Sequence, residues 1–416
     1  MTLMSGKRAL MEMLKAEDVE YIFGNPGTSE MPIMDELENH PSLKYILVLQ
    51  EGVAMGMADA YARSTGKPSF VNLHIETGLG NAISLLQNAY DGGTPLVLTA
   101  GNKDMHEIAQ GRTNLTNLTK ELTKWSVEVT HPQQIPTVMR RAFNEAKTPP
   151  SGPTFVAFSA NALDHEAEME ITPSSIGYFQ TGPDTNAINE AARILASSSN
   201  PIMIVGDRLA PAEATSEAVR LAEMIGAEVH PCRYSDMNFP SNHPQFVETT
   251  RLGFPDSRKY MSSADVIIAV GNLVSGYTMF SNPIVRFFDP KTELIHINSD
   301  PSNVGMAQPT DVGIIGDPKM ALNDLANTLE LLMTGQEKEA ARIRAASISD
   351  KTALRQSEWE MLVKERWDNI PISQERMMVD LANQLPADTL IVDDSVSSRD
   401  ALLKAIKFDQ PGSLIA

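Results

Sequence analysis

The 416-residue sequence contains one cysteine, relatively few basic residues and no long apolar run. Because Cys232 is the only cysteine, the chain can form neither an internal disulfide nor a paired-cysteine zinc site. Asp and Glu number 53 against 34 Lys and Arg, and the formal charge of −19 disfavours binding to nucleic acid. No apolar run is long enough to cross a bilayer, and residues 1–20 are charged throughout, which indicates an amphipathic helix and not a signal peptide. We therefore expect a cytoplasmic protein with neither a membrane nor a nucleic-acid partner.

Several motifs of known chemistry are also missing. The sequence contains no Walker loop, no G-x-S-x-G, no HExxH and no paired CxxC, and its eight histidines show no metal-ligand spacing. The segment "TGLGN" at 77–81 lacks the third glycine of a dinucleotide-binding turn. A phosphate-bearing small molecule stays possible, because backbone N–H groups at helix N-termini can hold phosphate without basic side chains.

Short apolar runs alternate with helical patterns in the first part of the chain. This alternation predicts α/β architecture, with consecutive doubly wound parallel sheets that helices cover on both faces. The predicted strands of the first sheet are 19–25, 43–50, 69–75, 94–101 and 153–160. Ligands of such sheets bind beyond the carboxyl ends of the strands. That rule directs attention to residues 25–29, 50–51, 74–80 and 101–111.

A second α/β unit follows an acidic and then Pro/Gly/Ser-rich stretch. Its predicted strands are 200–207, 264–272, 293–300 and 312–318, with a helix near 318–333. A charged helical stretch then leads to a third unit with a helix at about 374–385, a strand at 389–394 and one more helix. Since one βα turn cannot bury its own faces, this third unit looks incomplete. The predicted boundaries are an N-terminal domain at 1–165, a linker at 166–188, a central domain at 189–335, a helical linker at 336–370 and the start of a third domain at 371–416.

Glu51 is the most informative candidate for chemistry. It lies between the apolar strand "YILVLQ" and the helical segment "GVAMGMADAYA". Desolvation there raises the pKa of the carboxyl, whereas the helix N-terminus lowers it. A carboxyl balanced in this way can exchange a proton with a ring nitrogen near neutral pH. The alternative is an ordinary acidic residue that compensates the helix dipole.

His74 lies where a strand ends, inside the predicted ligand-binding zone. It is either a proton-transfer residue or a histidine of purely structural role. His106, in the polar loop "NKDMHEIAQGR", is a weaker candidate, because a polar loop of this kind is often simply mobile.

Three blocks carry a family resemblance: "FGNPGTSEMPIMDEL", "LVLQEGVAMGMADAYARSTGKPSFVNLH" and "TGLGNAISLLQNAYDGGTPLVLTAG". In order and spacing they resemble the N-terminal domain of thiamine diphosphate-dependent enzymes, most closely the benzoylformate decarboxylase group and next the acetolactate synthase group. "NPIMIVGD" and "GIIGDPK" resemble the central domain, and "LIVDDSVSSRDALL" resembles the start of the third. The resemblance implies a pyrimidine-binding domain, a central domain and the beginning of a diphosphate-binding domain.

The resemblance also implies an activity, namely the non-oxidative decarboxylation of a 2-oxo acid with thiamine diphosphate and Mg²⁺ as cofactors. Glu51 would hydrogen-bond the aminopyrimidine N1′, His74 would handle protons, and Thr28 would bond the substrate carboxylate. Other residues would contact the cofactor: Pro26, Gly27, Thr77 and Asn81 at the pyrimidine, and Ser395, Ser397 and Ser398 at the diphosphate. The family places its site between subunits, so a homodimer or homotetramer is implied.

The sequence departs from the family pattern in three places. No Gly-Asp-Gly motif occurs, so the metal ligands are expected beyond Ala416. The stretch "NLVSGYTMFSN" offers Tyr277 and Thr278 where the decarboxylase has a second histidine, and Glu76 stands where it has a small residue. Two alternatives therefore stay open: an acetolactate synthase-like carboligase, or a subunit or scaffold that is inactive alone because it lacks the Mg²⁺–diphosphate site.

Overall fold

The structure, a computed structural model, describes residues 1–175, 180–232, 235–247, 261–271, 288–306 and 308–416. Backbone contacts divide the chain into two compact units, residues 1–179 and residues 180–416. Each unit is described separately below.

The first unit alternates strands with helices, as its apolar pattern predicts. Its strands and helices are, in chain order, β1 (Thr2–Ser5), α1 (Gly6–Ala16), β2 (Tyr21–Asn25), α2 (Met31–Leu37), β3 (Lys44–Leu47), α3 (Glu51–Thr65), β4 (Ser69–Leu73), α4 (Ile75–Gly92), β5 (Leu96–Asn102), α5 (Thr116–Thr119), β6 (Trp125–Val129), α6 (Ile135–Lys147), β7 (Thr154–Ser159), α7 (Ala160–Asp164) and β8 (Glu166–Met169).

Six of these strands form one parallel sheet in the order β3-β2-β4-β5-β7-β6. The central strands are buried on both faces. In β4, Phe70 belongs to one apolar cluster, whereas Val71 and Leu73 belong to another, as expected when successive side chains point to opposite faces. The sheet is thus covered on both sides, and the loops at its carboxyl edge contain the segments where ligands are predicted to bind.

The second unit contains a five-stranded parallel sheet in the order β10-β9-β11-β12-β13. Its strands and helices are α8 (Thr185–Ser197), β9 (Pro201–Val205), α9 (Thr215–Ile225), β10 (Glu228–Pro231), β11 (Val266–Val270), β12 (Glu293–Asn298), β13 (Val312–Ile315), α10 (Pro318–Leu332), α11 (Gly335–Glu365), α12 (Gln374–Gln384), β14 (Ile391–Val392), α13 (Arg399–Ala405) and β15 (Leu414–Ile415). The short strands β14 and β15 pair in parallel. The α/β class with parallel sheets is therefore confirmed.

Some local predictions differ from the structure. Residues 2–5 form β1 and pair antiparallel with β8, so the N-terminal helix begins at Gly6, and part of the predicted linker 166–188 is strand. The sequence also did not predict β6 and β10, which are edge strands of their sheets. No helix among the described residues is long and apolar enough to cross a membrane.

Candidate functional site in the first unit

Glu51 is the first residue of α3, directly after the loop that follows β3. The preceding Gln50 caps the helix, because its side-chain oxygen accepts a hydrogen bond from Val53 N at 3.1 Å. The cap fixes the direction in which the helix leaves the sheet. Although it stands at a helix end, Glu51 is only 9% exposed.

Two asparagines from other segments hold the Glu51 carboxyl. Asn25 Nδ2, at the end of β2, donates to Oε1 at 3.1 Å, and Asn81 Nδ2, on α4, donates to Oε2 at 3.0 Å. The end of β2, the first residue of α3 and the first part of α4 therefore meet at one carboxyl group. This arrangement needs a hydrogen-bond donor at both positions, which the side-chain amides of Asn25 and Asn81 provide.

The surroundings of Glu51 act on its pKa in opposite directions. Burial raises the pKa, but hydrogen bonds from Asn81, from the backbone N–H of Glu51 and from Asn25 together outweigh burial, with a further contribution from His74. The pKa of the Glu51 carboxyl is consequently below its usual range. The carboxyl is therefore ionised at neutral pH and acts as an acceptor.

A second glutamate, Glu30, lies at the same edge and is fully buried. Its Oε2 accepts from Gly27 N at 2.9 Å and lies 2.9 Å from His74 Nδ1, while its Oε1 accepts from Ser29 Oγ at 2.7 Å and from Gly101 N at 2.8 Å. Four donors thus surround one carboxyl, which is the set that an ionised carboxylate requires.

These contacts fix the orientation of His74. Its Nδ1 lies 2.9 Å from both Glu30 Oε2 and Ser29 Oγ, and the hydroxyl hydrogen of Ser29 is directed to Glu30. Nδ1 therefore carries the proton and donates it, which leaves Nε2 as the nitrogen available to a ligand. A Cβ placed on Gly27 would lie 2.4 Å from the ring, so glycine is needed there for the ring to pack.

The backbone next to His74 is strained. Ile75 has a φ of 29°, a conformation that a β-branched residue rarely adopts. A strained conformation of this kind costs on the order of 1–3 kcal/mol and persists only where the surrounding structure holds it in place. Such conformations are frequent at functional sites.

Comparison with known proteins places the chain in a family. Residues 4–122 match "Thiamine pyrophosphate enzyme, N-terminal TPP binding domain", and residues 188–325 match "Thiamine pyrophosphate enzyme, central domain". The two matches together span more than half of the chain. The chain belongs to the thiamine pyrophosphate enzyme family. The family resemblance read from the sequence is thereby confirmed.

Individual members of the thiamine pyrophosphate enzyme family are only moderately similar. Benzoylformate decarboxylase of Pseudomonas aeruginosa is 27% identical over 419 residues, which cover 97% of this chain and 74% of that protein. The acetolactate synthase large subunit of Buchnera aphidicola is 27% identical over 339 residues, covering 79% of this chain and 59% of that protein. The crystal structure of benzoylformate decarboxylase from Polynucleobacter necessarius superposes with a TM-score of 0.84 at 23% identity, covering 99% of this chain and 74% of that one. The fold is thus shared, and the comparisons leave the reaction open.

The residues around Glu51 fit the pyrimidine end of thiamine pyrophosphate. A carboxylate offers about four lone-pair positions. Asn25, Asn81 and the backbone N–H of Glu51 use three of them, so one further donor can be accepted. Gly78 passes next to the carboxyl: a Cβ placed there would lie 3.4 Å from Oε1.

The other predicted site residues fall into two groups. In the first unit, Pro26 and Gly27 are partly buried, and Gly27 lies beside the His74 ring. Thr28, Thr77 and Asn81 are exposed, and Glu76 lies in the first turn of α4. In the second unit, Ser395 Oγ donates to Asp393 Oδ1 at 2.5 Å, and Ser397 and Ser398 precede α13.

Among the predicted histidines, His106 lies outside this hydrogen-bond network. His106 is exposed and pairs with Asp104 at 2.6 Å, away from Glu51 and His74 in the hydrogen-bond network. Tyr277 and Thr278 lie outside the described residues. Within the described parts of the chain, no group of three or more His, Cys, Asp or Glu side chains could hold a metal ion.

Glu30 is the residue that sequence reasoning missed. In the sequence it stands three positions after Gly27 and just before a helical pattern, where an acidic residue is common. Its partners His74 and Gly101 are 44 and 71 positions away. Only the fold shows that this glutamate is buried and carries four hydrogen bonds.

Proposed function

We propose that this chain forms the pyrimidine-binding part of a thiamine diphosphate-dependent enzyme that decarboxylates a 2-oxo acid. The observation that carries the proposal is the buried Glu51 carboxyl, held at a helix start by Asn25 and Asn81 with one acceptor position left. When bound, thiamine diphosphate supplies a nucleophilic carbon and an electron sink for loss of CO₂.

Glu51 provides the proton exchange that this chemistry needs. Because its lowered pKa keeps it ionised, Glu51 would accept a hydrogen bond from a protonated ring nitrogen of the pyrimidine, and its carboxylate would be the group that takes or returns the proton at that atom. Because Glu51 is only 9% exposed, water has limited access to that contact, which strengthens it. Asn25 and Asn81 hold the carboxyl in the orientation required.

His74 is the proposed proton-transfer residue for the substrate. Its Nδ1 proton is directed to Glu30, so Nε2 can take a proton from, or give one to, the bound acid. Glu30 acts through His74 and is therefore a positioning residue. The strained Ile75 next to His74 supports the view that this backbone is held for function.

The remaining roles follow the family resemblance. Pro26, Gly27, Thr77 and Asn81 would line the pyrimidine, and the exposed Thr28 hydroxyl would bond the substrate carboxylate. Ser395, Ser397 and Ser398 would contact the diphosphate. Mg²⁺ would need ligands other than the described residues, and a homodimer or homotetramer would bring the two ends of the cofactor site together.

A carboligase is the second candidate, and the similarity to acetolactate synthase supports it. Such an enzyme transfers the decarboxylated fragment to a second carbonyl compound, whereas a decarboxylase transfers a proton to it. A catalytically inactive subunit is the third.

Turnover assays distinguish the three. The full-length product of the gene is incubated with thiamine diphosphate, Mg²⁺ and either benzoylformate or pyruvate, with and without an added aldehyde. Release of free aldehyde as the main product supports the decarboxylase. Transfer of the fragment to the added aldehyde, giving a hydroxyketone, or to a second molecule of pyruvate, giving a 2-hydroxy acid, supports the carboligase. No CO₂ from either acid contradicts both. His74→Ala should slow turnover while cofactor binding is retained; unchanged turnover would assign His74 a structural role.

A further inference from the structure

The outward side of α3 and α4 in the first unit carries almost no charge. Both helices contribute buried residues to the apolar cluster on one face of the sheet, and they pack against each other, so their opposite sides form one exposed surface, the outer face of α3 and α4. Val53 and Met57, one turn apart on α3, are 51% and 40% exposed. The exposed residues of α4 before Tyr90 have amide or hydroxyl side chains or are glycine: Thr77, Gly80, Asn81, Ser84, Gln87 and Asn88.

This composition differs from that of an ordinary solvated helix. Within α3 and α4, all of whose residues the structure describes, Asp91 in the last turn of α4 is the only charged residue that is exposed. The exposed side of α11, by contrast, carries many charged residues, which include Lys338, Glu339, Arg342, Glu358 and Glu360. A solvated helix face normally carries charged residues, whereas the core of a protein–protein interface is depleted of charge and enriched in Met. The outer face of α3 and α4 therefore has the composition of an interface.

The outer face of α3 and α4 adjoins the candidate site. Glu51 is the first residue of α3, and Asn81, which donates to its carboxyl from α4, is exposed. Leu49, two positions before Glu51, is 98% exposed, and Leu47 at the end of β3 is 66% exposed. The apolar, uncharged surface thus continues into the segment that leads to the Glu51 carboxyl.

Charge decides which partner fits this surface. Basic proteins are bound through acidic side chains and nucleic acids through basic ones, and both kinds are almost absent here. Two copies of this chain, each with a net charge of −19, repel each other, so they can approach closely only where acidic side chains are scarce.

We propose that a second copy of this chain docks on the outer face of α3 and α4, together with Leu47 and Leu49. A closed dimer covers the segment next to Glu51 in both copies equally. The inference rests on the proposed function only where it identifies the covered site as the cofactor site.

Sedimentation equilibrium of the full-length gene product, without cofactor or substrate, tests the docking surface. Met57→Lys and Ser84→Lys each place a charge on the outer face, and because Lys is a good helix former neither should disturb the helix. Each should raise the dissociation constant of the dimer at least about tenfold, since an unpaired ammonium group must lose its water there. Leu331→Lys, at a 90% exposed position of α10, makes the same change in net charge elsewhere; it is the matched control and should leave the constant unchanged.

Three results would overturn the proposal. In the first, the wild-type protein remains monomeric at about 100 µM, where even a dimer of micromolar affinity would form. In the second, Met57→Lys and Ser84→Lys associate as tightly as Leu331→Lys. In the third, the two variants lose a different protein that copurifies with the wild type, which would assign the face to that protein. A dimer that Met57→Lys dissociates, in a protein that releases no CO₂ from either acid, would support this inference and contradict the proposed function.

Discussion

Replacing Glu30 with Gln tests whether this buried carboxylate organises the loops at the edge of the sheet. The change preserves shape but substitutes an NH₂ group for one carboxylate oxygen. Each oxygen of Glu30 accepts two hydrogen bonds, from Gly27 N and His74 Nδ1 or from Ser29 Oγ and Gly101 N. In either orientation of the amide, the new NH₂ group therefore faces two donors at a fully buried position.

The cost follows from those orphaned donors. A buried donor without a partner costs about 1–3 kcal/mol, so two cost about 2–6 kcal/mol. One donor of each pair can avoid this cost, because the Ser29 hydroxyl can rotate to accept from the NH₂ group and the His74 ring can change tautomer. The lower half of the range therefore applies. The backbone N–H groups of Gly27 and Gly101 have no such freedom. We therefore expect a loss of about 2–4 kcal/mol in the free energy of unfolding of the first unit.

Amide hydrogen exchange with mass spectrometry, at increasing urea concentrations, measures this free energy on peptides of β2 and β5. Glu38→Gln is the matched control, since Glu38 is exposed and lies in the same segment. If the free energies of unfolding of Glu30→Gln and Glu38→Gln differ by less than about 0.5 kcal/mol, which is ordinary for surface substitutions, the Glu30 carboxylate has no organising role.

Three further changes test the site. The pKa of Glu51 is lowered in the folded state, so its stabilising contribution is fully present above the ordinary value of 4.5 and is lost as the pH falls through the folded pKa. Glu51→Gln should therefore lose less stability than the wild type between pH 7 and pH 3 in urea titrations. Equal losses in the two proteins would contradict the hydrogen-bonding account. Asn81→Ala should raise the pKa of Glu51 because burial remains while a donor is lost, as ¹³C NMR titration of the carboxyl would show; an unchanged pKa would refute this contribution. Gly27→Ala should displace the His74 ring and cost about 1–3 kcal/mol, whereas Gly80→Ala, with open space around its Cβ, should not; unmoved ring resonances of His74 in Gly27→Ala would be inconsistent with the packing.

The sequence predicts the fold well where burial is uniform. Central strands such as β4 and β5 are buried on both faces and are short, mostly apolar segments, which is why the sequence predicts them. The edge strand β6, "WSVEV", carries polar residues and is only half buried along most of its length, which hides it from the same reasoning. The strand β10, "EVHP", is short and ends in proline.

The site is predictable only in part. The rule that ligands bind at the carboxyl ends of parallel strands placed Asn25, Glu51 and His74 at the same edge, and the structure brings their segments together. The pKa direction of Glu51 was not predictable, because it depends on two distant donors. Glu30 was not predictable either, since its burial arises from loops that are far apart in sequence. A cytoplasmic location, Mg²⁺ and the oligomeric state stay predictions.

Exchange of the thiazolium C2 proton of thiamine diphosphate, measured by ¹H NMR after transfer to D₂O and acid quench, tests the role of Glu51 most directly. The full-length gene product, loaded with cofactor and Mg²⁺, is compared with its Glu51→Gln variant and with Glu38→Gln as the control. Positioned acid–base groups contribute about 10²–10⁴-fold, so we expect Glu51→Gln to slow exchange by at least about 10²-fold while the control retains the wild-type rate. Exchange at the wild-type rate in Glu51→Gln would contradict the proposed function of the site.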